Sequence, residues 1–94
     1  MRLKEYEIDA IKTTFKEVFI DGDIYLFGSR VDDSKKGGDI DLYISTPQKK
    51  DLVSKKIEFL VKLKQKIGEQ KIDVVLDYNN NFLIDKKAKE GIKL

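Results

Sequence analysis

The chain has 94 residues, 38% of them charged and 40% hydrophobic, with 19 Lys and Arg against 17 Asp and Glu for a net charge of +2; that bounds one domain, residues 1–94, with one modest core. There is no cysteine and no histidine, which excludes disulfide frameworks, thiolate zinc sites and imidazole bases and leaves chemistry to carboxylates, hydroxyls, lysines and arginines. Basic residues are spread along the chain, no apolar run approaches a membrane span and the N-terminus lacks a signal-peptide core, so the expectation is a cytoplasmic protein with no dedicated duplex-binding surface and no membrane segment.

Leu3 to Phe19 reads as an amphipathic helix: Ile8, Ile11, Phe15 and Val18 recur at helical spacing, with Lys4, Glu5, Lys12 and Lys16 on the wet face. Asp21-Gly22-Asp23 ends it, with Gly22 as a left-handed stop. Ile24 to Phe27 is a first strand that runs straight into Gly28-Ser29. Asp32 and Asp33 read as solvated loop residues, and Gly37-Gly38 turns the chain back. From Asp39 to Ile44 carboxylate and aliphatic side chains alternate, which predicts a strand with Asp39, Asp41 and Tyr43 on one face and Ile40, Leu42 and Ile44 on the other.

Thr46-Pro47 predicts the next helix start, Thr as N-cap and Pro at the first helical position. That helix runs to about Ile67 and stops at Gly68, burying Val53, Ile57, Leu60, Leu63 or Lys64, and Ile67. Lys49, Lys50, Lys55, Lys56, Lys62 and Lys66 fall largely elsewhere, as a solvated face. Ile72 to Leu76 is a third strand, Asp77 marks its exit and Asn79-Asn80-Asn81 a turn. Phe82 to about Glu90 reads as a terminal helix stopped by Gly91, with Leu83 or Ile84 and Ala88 on the sheet. The fold class is α/β (α+β): order α-β-β-α-β-α, a small mixed sheet of three strands or slightly more, flanked by helices.

The chemistry gathers at one place. Asp39 and Asp41, two apart on a strand, have Cα atoms roughly 6.6 Å apart and point the same way. Like charges so close need compensation, commonly a hard divalent cation with oxygen ligands, such as Mg²⁺ held by one or two carboxylates and substrate phosphates. The alternative is a polar sheet face open to water. Gly28 lets backbone turn sharply and approach a ligand, and Ser29 offers a hydroxyl and N–H donors to phosphate oxygens; alone, the pair would be an ordinary tight turn. Arg30 either reaches a triphosphate or pairs with Asp32 or Asp33. Asp73 interrupts an apolar strand, a costly place for a charge unless it is paired or metal-bound. If strands one and two form an antiparallel hairpin and a helical crossover makes strands two and three parallel, Gly28-Ser29, Asp39, Asp41 and Asp73 meet at one end of the sheet.

Gly28-Ser29, nine residues, then Asp39-Ile40-Asp41 among aliphatic residues resembles the signature of the DNA polymerase β-type nucleotidyltransferase superfamily. The short chain is similar to its minimal nucleotidyltransferase (MNT) branch. The resemblance implies the polymerase β-like nucleotidyltransferase fold, two Mg²⁺ ions, ATP or another NTP as substrate, and transfer of a nucleotidyl group to a hydroxyl with release of pyrophosphate. It matches Asp73 to the third carboxylate of the family, with Asp39, Asp41 and Asp73 as catalytic metal ligands and Gly28, Ser29 and Arg30 toward the nucleotide. It also implies a partner, a HEPN-domain protein, with the MNT member acting as antitoxin by adenylylating a partner hydroxyl. A second reading is a non-catalytic antitoxin that neutralises its HEPN partner by complex formation; the 30–38 connection, unlike the Gly-Ser-x-Ala-Arg-Gly-like loops of many relatives, favours it. RNA modification is a third and weaker reading. Base preference and homo-oligomerisation are left open by the sequence.

Overall fold

Helix α1 spans Glu5–Phe19 and buries Ile11, Phe15, Val18 and Phe19. These residues recur at three- and four-residue spacing, so one stripe of the helix is apolar and the rest is wet. The computed structural model describes residues 3–28, 39–47, 50–77 and 91–94. The N-terminus of α1 is closed by Glu7, whose carboxylate accepts the Lys4 N–H at 2.9 Å. The stop differs from expectation. Phe19 is the last helical residue, and the Asp21 N–H donates to the Phe19 carbonyl at 2.7 Å around Ile20 (φ 69°, ψ −51°), a γ-turn. Gly22 (φ 121°) has another use: a Cβ there would strike the Ser45 carbonyl oxygen, so glycine lets two backbones close on each other.

Strand β1 (Asp23–Phe27) pairs antiparallel with β2 (Ile40–Ser45), and β2 pairs parallel with β3 (Ile72–Leu76). Both pairings follow the expected hairpin and crossover. A further strand, β4 (Ile92–Lys93), adds antiparallel to β1, giving the order β3-β2-β1-β4. It is two residues long, too short to show a period in sequence. Mixed α/β architecture and the mixed sheet stand as expected, with four strands among the described residues, within the three or slightly more expected. The proposed terminal helix from Phe82 to Glu90 and the Asn79–Asn81 turn lie outside the described residues.

Helix α2 (Leu52–Ile67) joins β2 to β3. Its start corrects the reading of Thr46 as N-cap. Thr46 is buried, and its hydroxyl donates to the Asp21 carbonyl at 2.9 Å, tying the β2 exit to the α1–β1 turn. Asp51, in left-handed conformation (φ 57°), precedes the helix instead. Its buried face is also rotated from the one expected. Leu52, Phe59, Leu63 and Ile67 go inside, whereas Val53 and Ile57 are exposed, as is Val61. The cause is aromatic packing: Phe59 sits edge-on to Phe19 of α1, ring centroids 6.0 Å apart, and a buried aromatic outweighs two valines and an isoleucine in the area it removes from water. Gly68 (φ 89°) ends α2 as expected, its N–H donating to the Lys64 carbonyl at 2.9 Å.

The core lies between both helices and one face of the sheet, with Ile24, Leu26, Ile40, Leu42, Ile44, Ile72, Val74 and Leu76 pointing into it. The other face carries Tyr25, Tyr43, Asp41 and Asp73 by strand alternation. Tyr43 lies on the face of the aspartates, as the alternation placed it, and is fully buried there, its ring 6.1 Å from that of Tyr25. That second face is therefore covered at its middle and carries carboxylates only toward one end. Among the described residues no helix is long and apolar enough to cross a membrane.

Candidate active site

The register brings the acidic residues to one end of the sheet. Asp41 is paired with Asp73 on the parallel neighbour and with Phe27 on the antiparallel one. Equal side-chain direction at paired positions puts both carboxylates on the same face, the one turned from the helices. Asp39 immediately precedes β2, half exposed, two residues before Asp41 and on the same side of the pleat. Gly28 follows β1 directly. It has φ 79°, and a Cβ on it would strike the Asp41 carboxylate. Only glycine allows the chain to leave β1 in this direction while Asp41 keeps its place.

This end of the sheet gathers negative charge. The Asp41 carboxyl is held above the ordinary carboxylate range, first by partial burial, then by the charges of Asp73 and Asp39; Lys71 works in the opposite direction. The Lys71 ammonium lies 3.4 Å from Asp39 Oδ2. Its carbonyl accepts the Ile40 N–H at 3.0 Å, which fixes the entry of β3 against the entry of β2. The residue before it, Gln70, donates to the buried Glu7 carboxylate at 2.8 Å and to the Ile67 carbonyl at 3.2 Å. The segment that delivers Asp73 is thus anchored to α1 and to the end of α2.

Among the described residues no three acidic side chains are gathered closely enough to hold an ion as they stand. The donors nonetheless fit a hard divalent cation. They are carboxylate oxygens, two or three of like charge face one another, and Gly28, lacking a Cβ, lets the Asp41 carboxylate lie against the chain. Mg²⁺ is commonly held by just one or two carboxylates, with substrate phosphates and water filling the rest.

Of the residues expected from sequence, Asp39, Asp41, Asp73 and Gly28 come to one sheet end. Ser29 and Arg30 lie outside the described residues, as do Asp32, Asp33, Gly37 and Gly38. Three contributors were missed. Lys71 had a signal, a cation two residues before a strand aspartate that needs neutralising. Glu7 and Gln70 had none, because they are 63 residues apart and meet only through the fold.

Residues 8–93 match the model of a family described as the nucleotidyltransferase domain. No curated protein matches the chain.

Proposed function

The chain belongs to the nucleotidyltransferase domain family, and on that premise we propose a divalent-metal-dependent transferase that moves a nucleotidyl group, AMP from ATP, to a hydroxyl of a partner macromolecule. The observation that carries the proposal is the register pairing of Asp41 with Asp73, with Gly28 closed against Asp41 at the same sheet end. Three aspartates there have no purpose in stability, since their mutual repulsion opposes folding.

In this mechanism Asp39, Asp41 and Asp73 would hold Mg²⁺, two ions by resemblance to the polymerase β-type enzymes. Such ions, when bound, supply Lewis acidity that activates the attacking hydroxyl and neutralises the leaving pyrophosphate. Asp39 and Asp41, through the cation they would hold, would orient the triphosphate for in-line attack. The acceptor oxygen forms a bond to the α-phosphorus, the bond from that phosphorus to the bridging oxygen breaks, and pyrophosphate leaves. Asp73, the exposed member of the set, takes the proton of the hydroxyl. Gly28, Ser29 and Arg30 are assigned to the β- and γ-phosphates from the sequence motif. Positioning and charge neutralisation carry most of the rate enhancement.

Resemblance to the minimal nucleotidyltransferase branch supports the finer assignment: a cytoplasmic antitoxin whose acceptor is a HEPN-domain protein. The second reading, neutralisation of that partner by docking alone, draws on one observation. Val53, Ile57 and Val61 make an exposed apolar stripe on α2, 63, 58 and 53% accessible, the kind of surface that a partner covers.

The test is a pull-down from the native cell followed by intact-mass analysis of the captured partner, with and without ATP and Mg²⁺. The expected result is a gain of whole AMP units that disappears in Asp41→Asn. A stable complex with no mass change under any nucleotide would overturn catalysis on that partner and leave docking as the function.

A further inference from the structure

Lys71 is the cation that the described site holds without any ligand. Its backbone is fixed at both sides: its carbonyl is bonded to Ile40, and Gln70 is bonded to Glu7 and Ile67. Its side chain is the reverse, long and 71% accessible, with the ammonium resting 3.4 Å from Asp39 Oδ2. A rigid base with a free arm can exchange partners without disturbing the sheet. An exposed pair of this kind contributes little to stability, so letting go of Asp39 costs little. A divalent cation on Asp39 would repel the ammonium from that oxygen. The nearest new anion would be the polyphosphate that the same carboxylates present, and lysine is a common point-charge binder of phosphate.

We propose that Lys71 is a nucleotide-binding residue with two stations: it neutralises Asp39 in the free protein and, displaced by the divalent cation, grips the polyphosphate of the nucleotide. The proposal rests on the carboxylate site being a metal site. It makes metal and lysine competitors for Asp39, and metal and nucleotide cooperative through the lysine.

The test is Lys71→Gln in the full chain, with two equilibrium titrations: Mn²⁺ alone, followed by electron paramagnetic resonance, and ATP at saturating Mn²⁺, followed by calorimetry. The expected result is opposite signs. Mn²⁺ alone binds about fivefold tighter, and ATP binds about fivefold weaker. Lys71→Arg restores both toward the native values. A residue that merely supports the fold would weaken both together, and that result overturns the proposal. So does unchanged Mn²⁺ affinity, which would show that the Asp39 pair does not compete, or unchanged ATP affinity, which would show no second station. If the native protein binds no Mn²⁺ and Asp41→Asn makes no difference, the metal site itself is refuted, which is a separate outcome from any failure of Lys71.

Discussion

The two ends of this sheet use the same residue type in opposite ways. At the end formed by the start of β1 and the exits of β2 and β3, each aspartate has a partner of its own. Asp21 Oδ1 accepts the Gly22 N–H at 3.0 Å, Asp23 pairs with Lys93 at 3.2 Å, and Asp77 accepts the Ser45 hydroxyl at 2.8 Å. At the other end, Asp41 faces Asp73 and Asp39, and Lys71, whose ammonium is paired with Asp39, opposes their effect on Asp41 only in part. The first arrangement ties turns together. On the proposed reading the second holds charge for a ligand, and the fold tolerates it because Glu7, Gln70 and the strand register keep the backbone in place. An acidic residue at the edge of a sheet thus becomes informative through what neutralises it, not through its presence.

The comparison is broken most sharply at Asp41. Asp41→Asn removes a ligand and a repulsion at once, so transfer activity should fall by about 10³-fold or more, while the Tm of the metal-free protein should rise by up to about 5 °C. A fall in both would mean that Asp41 is structural. The same residue sets a pH dependence. Because its carboxyl titrates above the ordinary range when folded, the folded protein binds more protons than the unfolded chain between the ordinary value and the raised one. The contribution of Asp41 to stability is therefore lost as pH rises through that window. Denaturation of native and Asp41→Asn protein across pH should show the variant gaining relative stability as pH increases.

Gly28→Ala is the next in size. It forces a side chain into left-handed backbone against the Asp41 carboxylate, so about 1–3 kcal/mol of stability should go, with a drop in activity of about 10²-fold from displaced ligands. The opposite end gives the smallest effect and the contrast. Thr46→Val deletes the buried hydroxyl that holds the Asp21 carbonyl, and should cost about 1 kcal/mol by chemical denaturation with the rate of nucleotidyl transfer unchanged. An altered rate would show that the two ends are coupled.

The site was legible in sequence wherever the period of two held. Alternation from Asp39 to Ile44 placed the strand, and crossover rules then brought Asp73 beside Asp41. What escaped was decided by tertiary packing. Tyr43 follows the aspartates in period but is buried beside Tyr25 because the second sheet face is itself covered there. Helix α2 carries two apolar stripes of similar length, and Phe59 meeting Phe19 selects between them. Thr46-Pro47 has the chemistry of a helix start, yet the Thr46 hydroxyl is engaged by a carbonyl 25 residues away. Strand β4 exists only because β1 offers it an edge.

The most direct measurement is the Tm of native and Asp41→Asn protein across a Mg²⁺ titration at neutral pH, at constant ionic strength. Stored repulsion relieved by a cation predicts that the native Tm rises saturably, while the variant starts higher and does not respond. A native Tm indifferent to Mg²⁺, or a variant that responds equally, would contradict the assignment of this sheet end as the metal-dependent site.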